Sequence, residues 1–139
     1  MKLVRYGQPG QEKPGLIDAQ GQVRDLSAQV ADIDGGVLSP ESLQKLAAID
    51  PATLPQVAGP VRDGPPVTRV GKLIAIGLNY ADHAAETNSP IPAEPIIFMK
   101  PTSSISGPDD TVVIPRGSVK TDWEVELGVI IGKPAKYVS

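Results

Sequence analysis

The chain contains no cysteine, which excludes disulfides, thiolate nucleophiles and cysteine-bound zinc or iron–sulfur centres, and makes a reducing cytoplasm the expected compartment. No apolar run approaches the roughly 20 residues that a membrane-spanning helix needs. The opening "MKLVRYGQPGQEKPG" turns polar too early for a secretory signal. Clustered positive charge is missing as well: 13 Lys and Arg are spread along a chain of net charge −3, which argues against a nucleic-acid-binding surface. There is no G-x-G-x-x-G, no phosphate loop and no G-x-S-x-G elbow, so nucleotide binding and serine-esterase chemistry lack their usual signatures.

What is present suits a small soluble protein. The 139 residues are 40% apolar and 21% charged, enough for one domain, or a small one plus part of another, around a buried core. Proline is abundant, at 15 residues, about twice the usual share of roughly 5%. In the N-terminal part "MKLVRY" and "GLIDAQGQVRDLS" read as short strands of an antiparallel unit, with Gly21 supplying a tight turn. "SPESLQKLAAI" reads as a helix with Ser39 as N-cap, Pro40 at its first position, Glu41 in its first turn, and Leu43, Leu46 and Ala47 on one stripe facing that sheet. From Asp50 to Arg69 repeated Pro and Gly without sustained periodicity mark a connection. The expected division is therefore a β-plus-helix domain over residues 1–68, linked through about 50–69 to a second region over 69–139.

The second region has a different texture. "KLIAIG" reads as a buried strand, "NYADHAAE" as one or two helical turns with Asn79 as N-cap, and "IIFMK" as another strand after a Pro-rich loop. "TVVIP" and "KTDWEVELGVIIG" are expected to pair as antiparallel strands across the turn from Arg116 to Ser118. On such a strand Glu124 and Glu126 share a face with Asp122, Gly128 and Ile130, opposite Trp123, Val125, Leu127, Val129 and Ile131. Two carboxylates roughly 7 Å apart can converge on a hard divalent ion such as Mg²⁺. They equally suit the solvated side of a half-exposed strand, although the same face continues as Gly128 and Ile130, and buried like charges need a counter-ion or a raised pKa. His83, the only histidine, has Glu86 three residues on, which on a helix puts both on one side. A carboxylate holding one imidazole nitrogen makes the other a better base for activating water; a plain surface contact has the same spacing.

Several motifs in order then resemble one family. Gly77 to Glu86 fits G-x-N-Y-x-x-H-x-x-E, Pro95 to Pro101 fits P-x-x-F-x-K-P, Gly107 and Pro108 form a Gly-Pro turn, and Asp122 to Leu127 fits D-x-E-x-E-L. Together they resemble the fumarylacetoacetate hydrolase family, and the N-terminal segment resembles its bacterial branch of 2,4-diketo-3-deoxy-sugar-acid hydrolases and proteins labelled ureidoglycolate lyase. The resemblance implies an α+β, mostly β fold: the small N-terminal unit followed by the first part of a mixed β-roll catalytic domain. It implies a cytoplasmic enzyme, dimeric when full length, that uses Mg²⁺, or Mn²⁺ or Ca²⁺, to cleave a carbon–carbon bond in a 2-oxo or 2,4-dioxo acid and release pyruvate. In that family the two glutamates, here Glu124 and Glu126, and a later aspartate hold the metal; His83 and Glu86 take the water-activating role. The aspartate and a lysine- and glycine-rich substrate loop come later than Ser139, so the sequence reads as the N-terminal portion of such a protein or a truncated product. Lys100, in the F-x-K-P run, could neutralise substrate charge or be a plain surface lysine. Lyase, decarboxylase, isomerase and hydratase chemistry on the same scaffold, or an inactive fragment, stay open.

Overall fold

A computed structural model describes residues 1–138. They group into two units, one of residues 1–69 with 106–139 and one of residues 70–105.

The first unit is built on a three-stranded antiparallel sheet in the order β1 (Lys2–Tyr6), β2 (Lys13–Ile17), β3 (Val23–Asp25). The β2–β3 hairpin closes through Asp18, whose carboxylate accepts the amides of Gln20 and Gln22 at 2.9 and 2.8 Å. Gly21 takes a φ of 78° there, a left-handed conformation that costs glycine no steric penalty. Asp18 also receives Nε–H of Arg24 at 2.7 Å. The amide of Gln22 and the Arg24 guanidinium hold the Asp18 carboxyl below its ordinary range. Helix α1 (Pro40–Ala47) starts as the sequence predicts, with the Ser39 hydroxyl accepting from the Ser42 amide at 3.2 Å. Its Leu46 joins Leu16, Leu26 and Leu54 in the core, edged by Leu3, Val30, Val37 and Ile49. The helix therefore does cover the sheet.

The Pro-rich run does more than connect. After a 3₁₀ turn at Pro51–Thr53 it runs along both edges of the sheet. At β3 the Asp25 amide donates to the Pro55 carbonyl and the Val57 amide to the Val23 carbonyl, each at 2.9 Å. At β1 the Gly7 amide donates to the Arg62 carbonyl at 2.9 Å and the Gly64 amide to the Arg5 carbonyl at 2.7 Å. Exposed strand edges are templates for unwanted pairing, and this segment occupies both with a few bonds, its prolines falling where no N–H is required.

The second unit holds an antiparallel ribbon of β4 (Leu73–Gly77) and β5 (Ile96–Lys100), in register from Leu73 opposite Lys100 to Gly77 opposite Ile96. Helix α2 (Ala81–Glu86) lies between them in sequence. Both strands were expected from the sequence, but burial was not achieved: every residue of β5 is exposed, and so is Ile74 of β4. A two-stranded ribbon buries little by itself. The N-cap of α2 is Tyr80, without a side-chain cap, in place of the expected Asn79. The architecture is α+β and mostly β, small antiparallel sheets with short helices, as the family resemblance implied.

Candidate functional site

His83 and Glu86 sit on α2, whose ends are fixed by local geometry. Leaving β4, the chain turns at Leu78 with φ of 48°, a left-handed conformation that side-chain-bearing residues rarely adopt and that costs about 1–3 kcal/mol. The helix ends in a Schellman arrangement: the Asn88 amide donates to the Ala85 carbonyl at 3.1 Å, the Ser89 amide to Ala84 at 2.8 Å, and Asn88 has φ of 50°. Ala84 is buried and anchors the turn; His83 is half-buried and Glu86 exposed. The Asp82 carboxylate accepts the His83 amide at 2.9 Å. The His83 ring and Glu86 make no hydrogen bond or ion pair with each other, although their spacing allows one. Lys100, at the end of β5, lies with its ammonium 5.6 Å from the centre of the Phe98 ring.

Glu124 and Glu126 belong to the other unit. The turn before them forms: the Ser118 amide donates to the Pro115 carbonyl at 3.0 Å and Gly117 has φ of 79°. The strands on either side do not. Among the described residues none from 111 to 138 lies in a strand, so the expected antiparallel pair is absent. Trp123 is 81% exposed and Leu127 80% exposed on one side of the alternation, and Glu124, Glu126 and Ile130 are exposed on the other. The alternating pattern requires a partner ladder and a covering layer before it can express an inner face, and neither forms here.

The donor chemistry of the two glutamates suits a hard divalent cation, which takes carboxylate oxygens. Among the described residues no group of three His, Asp or Glu side chains is assembled that could hold one. No helix among the described residues is long and apolar enough to cross a membrane.

A polar cluster that the sequence reading passed over lies in the first unit. Arg5, 6% exposed, donates from Nε and Nη2 to the two oxygens of Asp32 at 2.7 and 3.0 Å and approaches Glu12 at 3.6 Å. Arg62 donates to Glu12 at 3.0 Å and forks onto Asp110. Burial works against the charge on Glu12 and on Asp32, but hydrogen bonds and the facing guanidinium groups outweigh it and hold both carboxyls below their ordinary range. Asp110, held by Arg62 and the Gly107 amide, falls to about 2. Near the same sheet, burial and a hydrogen bond to Asp25 push Tyr6 up to about 12. No local motif announces the Arg5–Asp32, Arg62–Asp110 and Arg62–Glu12 pairs, because their partners lie 27 to 50 residues apart.

Comparison with known proteins bears directly on the motif-bearing part. Residues 72–139 match the model of the fumarylacetoacetate (FAA) hydrolase C-terminal domain. Over 138 residues the chain is 65% identical to a Burkholderia multivorans protein named "Putative hydrolase", and 64% identical to proteins of the same designation from Burkholderia ambifaria and Burkholderia cenocepacia. Each match takes in 99% of this chain and 49% of the relative, so the chain spans about half the length of these curated relatives. Residues 72–139 are thus similar to the C-terminal domain of the fumarylacetoacetate hydrolase family, and the whole chain to about half of each of these relatives.

Proposed function

We propose that the protein represented by this chain is a divalent-metal-dependent hydrolase that cleaves a carbon–carbon bond of a 2,4-dioxo acid and releases pyruvate or a similar 2-oxo acid. One observation carries the reading: the family match over residues 72–139 takes in both G-x-N-Y-x-x-H-x-x-E and D-x-E-x-E-L. Glu124 and Glu126 would contribute two carboxylate ligands to Mg²⁺, Mn²⁺ or Ca²⁺. Such an ion supplies positive charge that binds the acid's oxygens and offsets the negative charge developing as the bond breaks.

The remaining steps belong to the chain's own side chains. A ring nitrogen of His83 takes a proton from water while the water oxygen bonds to the distal carbonyl carbon; the electron pair of the breaking carbon–carbon bond stays with the 2-oxo fragment, which is then protonated. Glu86 fixes the imidazole tautomer once its carboxylate swings to the other ring nitrogen, a contact that catalytic pairs often complete only with substrate bound. Six residues of helix on an exposed turn can close over the substrate and exclude bulk water. The complete protein is proposed to work as a homodimer in the cytoplasm.

A panel of 2,4-dioxo acids offered to the complete protein with Mg²⁺ tests this reading. Pyruvate appearing together with one equivalent of a second acid supports hydrolysis. Carbon dioxide release, isomerisation without cleavage, or no turnover on the whole panel contradicts it.

A further inference from the structure

We propose that the Gly107–Asp110 turn is a latch that closes on Arg62 and fastens the glutamate-bearing segment to the N-terminal sheet. Arg62 lies on the Pro-rich run where that run pairs with the edge of β1, so backbone hydrogen bonds fix where its side chain starts. Its guanidinium then uses every face. Nε and Nη2 donate to the two oxygens of Asp110 at 2.5 Å each, and Nη1 donates to the Gly7 carbonyl and to Glu12, both at 3.0 Å. A planar fork can hold a carboxylate through two parallel bonds and still donate elsewhere; a lysine ammonium is a point charge and cannot. Asp110 meanwhile accepts the Gly107 amide at 2.7 Å, so the same carboxylate closes the turn and grips Arg62.

A second observation, independent of charge, points the same way. Gly107 is buried, and a Cβ there would collide with the Asp63 carbonyl and stand 3.1 Å from Nη2 of Arg62 and from Asp110. A residue without a side chain lets the turn lie flat on residues 62 and 63. Beyond the turn the chain is exposed except at the half-buried Gly132, where a Cβ would meet the Leu38 carbonyl, and among the described residues it forms no strand. The latch is therefore a fixed point ahead of the segment carrying Glu124 and Glu126, which gives the Gly-Pro turn a role separate from the proposed chemistry.

Amide hydrogen exchange followed by NMR on the full 139-residue chain tests it, with Arg62→Met, Asp110→Asn, the double variant and Arg62→Lys. Each single variant is expected to speed exchange at Gly107 about ten-fold or more, leaving Leu16 and Leu26 unchanged, because opening is local. The double variant should be no faster than the faster single, and Arg62→Lys should fall between wild type and Arg62→Met. Exchange at Gly107 within about two-fold of wild type in both singles, or single effects that multiply in the double, overturns the latch. If Arg62→Met also loses protection at Leu16 and Leu26, Asp110→Asn alone decides, since it leaves the Arg5, Glu12 and Asp32 contacts intact.

Discussion

Replacing Arg5 by methionine keeps most of the side-chain volume while removing a guanidinium that is 6% exposed. Three partners lose a donor: Asp32, which received two bonds at 2.7 and 3.0 Å, the Pro65 carbonyl at 3.3 Å, and Glu12 at 3.6 Å. Glu12 keeps Arg62 at 3.0 Å, and the Pro65 bond is long, so the cost falls mainly on Asp32. That carboxylate retains the Ile33 amide at 2.8 Å and a side-chain exposure of 28%, which lets water soften the loss. Breaking a buried ion pair from one side costs about 3–5 kcal/mol, and this site belongs at the lower end. The loss should depend on pH. Because Asp32 has a depressed folded-state pKa, its pairing stabilises the fold above the ordinary aspartate range and ceases to do so as pH falls through the folded value. Urea melts at pH 7 and pH 3 should show a destabilisation of roughly 3 kcal/mol at the higher pH that shrinks at the lower. A penalty below about 0.5 kcal/mol at pH 7, or one of equal size at both pH values, would refute the assignment of Arg5 as the buried partner of Asp32.

Two further outcomes follow from the first unit. Leu26 is 0% exposed in the four-leucine core, so Leu26→Ala should cost about 3 kcal/mol in a denaturant melt; a loss under about 1 kcal/mol would mean that this cluster is not the core. Acid titration should also weaken the fold: Asp110 drops from an ordinary 3.8 to about 2, so its contribution is present above about pH 3.8 and disappears as pH falls through about 2. Circular dichroism across that window should show wild type losing stability that Asp110→Asn never had, and parallel curves for the two proteins would contradict this.

The parts legible in the sequence are those fixed by neighbouring residues. Gly21 announced the hairpin and Ser39 with Pro40 the helix start, because turns and caps are decided within a few positions. The six-residue helix bearing His83 was legible for the same reason, but its cap was not: Leu78 enters a left-handed conformation, a choice that no propensity favours. The sheet-edge pairing of residues 55–64 leaves no periodic trace, since only a few scattered amides take part. The Arg5 and Arg62 pairs cannot be read locally because their carboxylates arrive from distant segments. Residues 111–132 show the reverse failure: the β pattern is strong, but a strand needs a ladder to satisfy its backbone, and none of these residues lies in a strand. Both glutamates were located by their motif; the structure places them on exposed chain.

The central claim is that Glu124 and Glu126 serve a metal-dependent cleavage in the complete protein. The most direct measurement is pyruvate release from a 2,4-dioxo acid by that protein after chelation and again after Mg²⁺ is restored, for wild type, Glu124→Ala and Glu126→Ala. Turnover that is lost on chelation, regained with Mg²⁺ in wild type and abolished in both variants is the predicted result. Turnover indifferent to chelation, or retained by both variants, would contradict it.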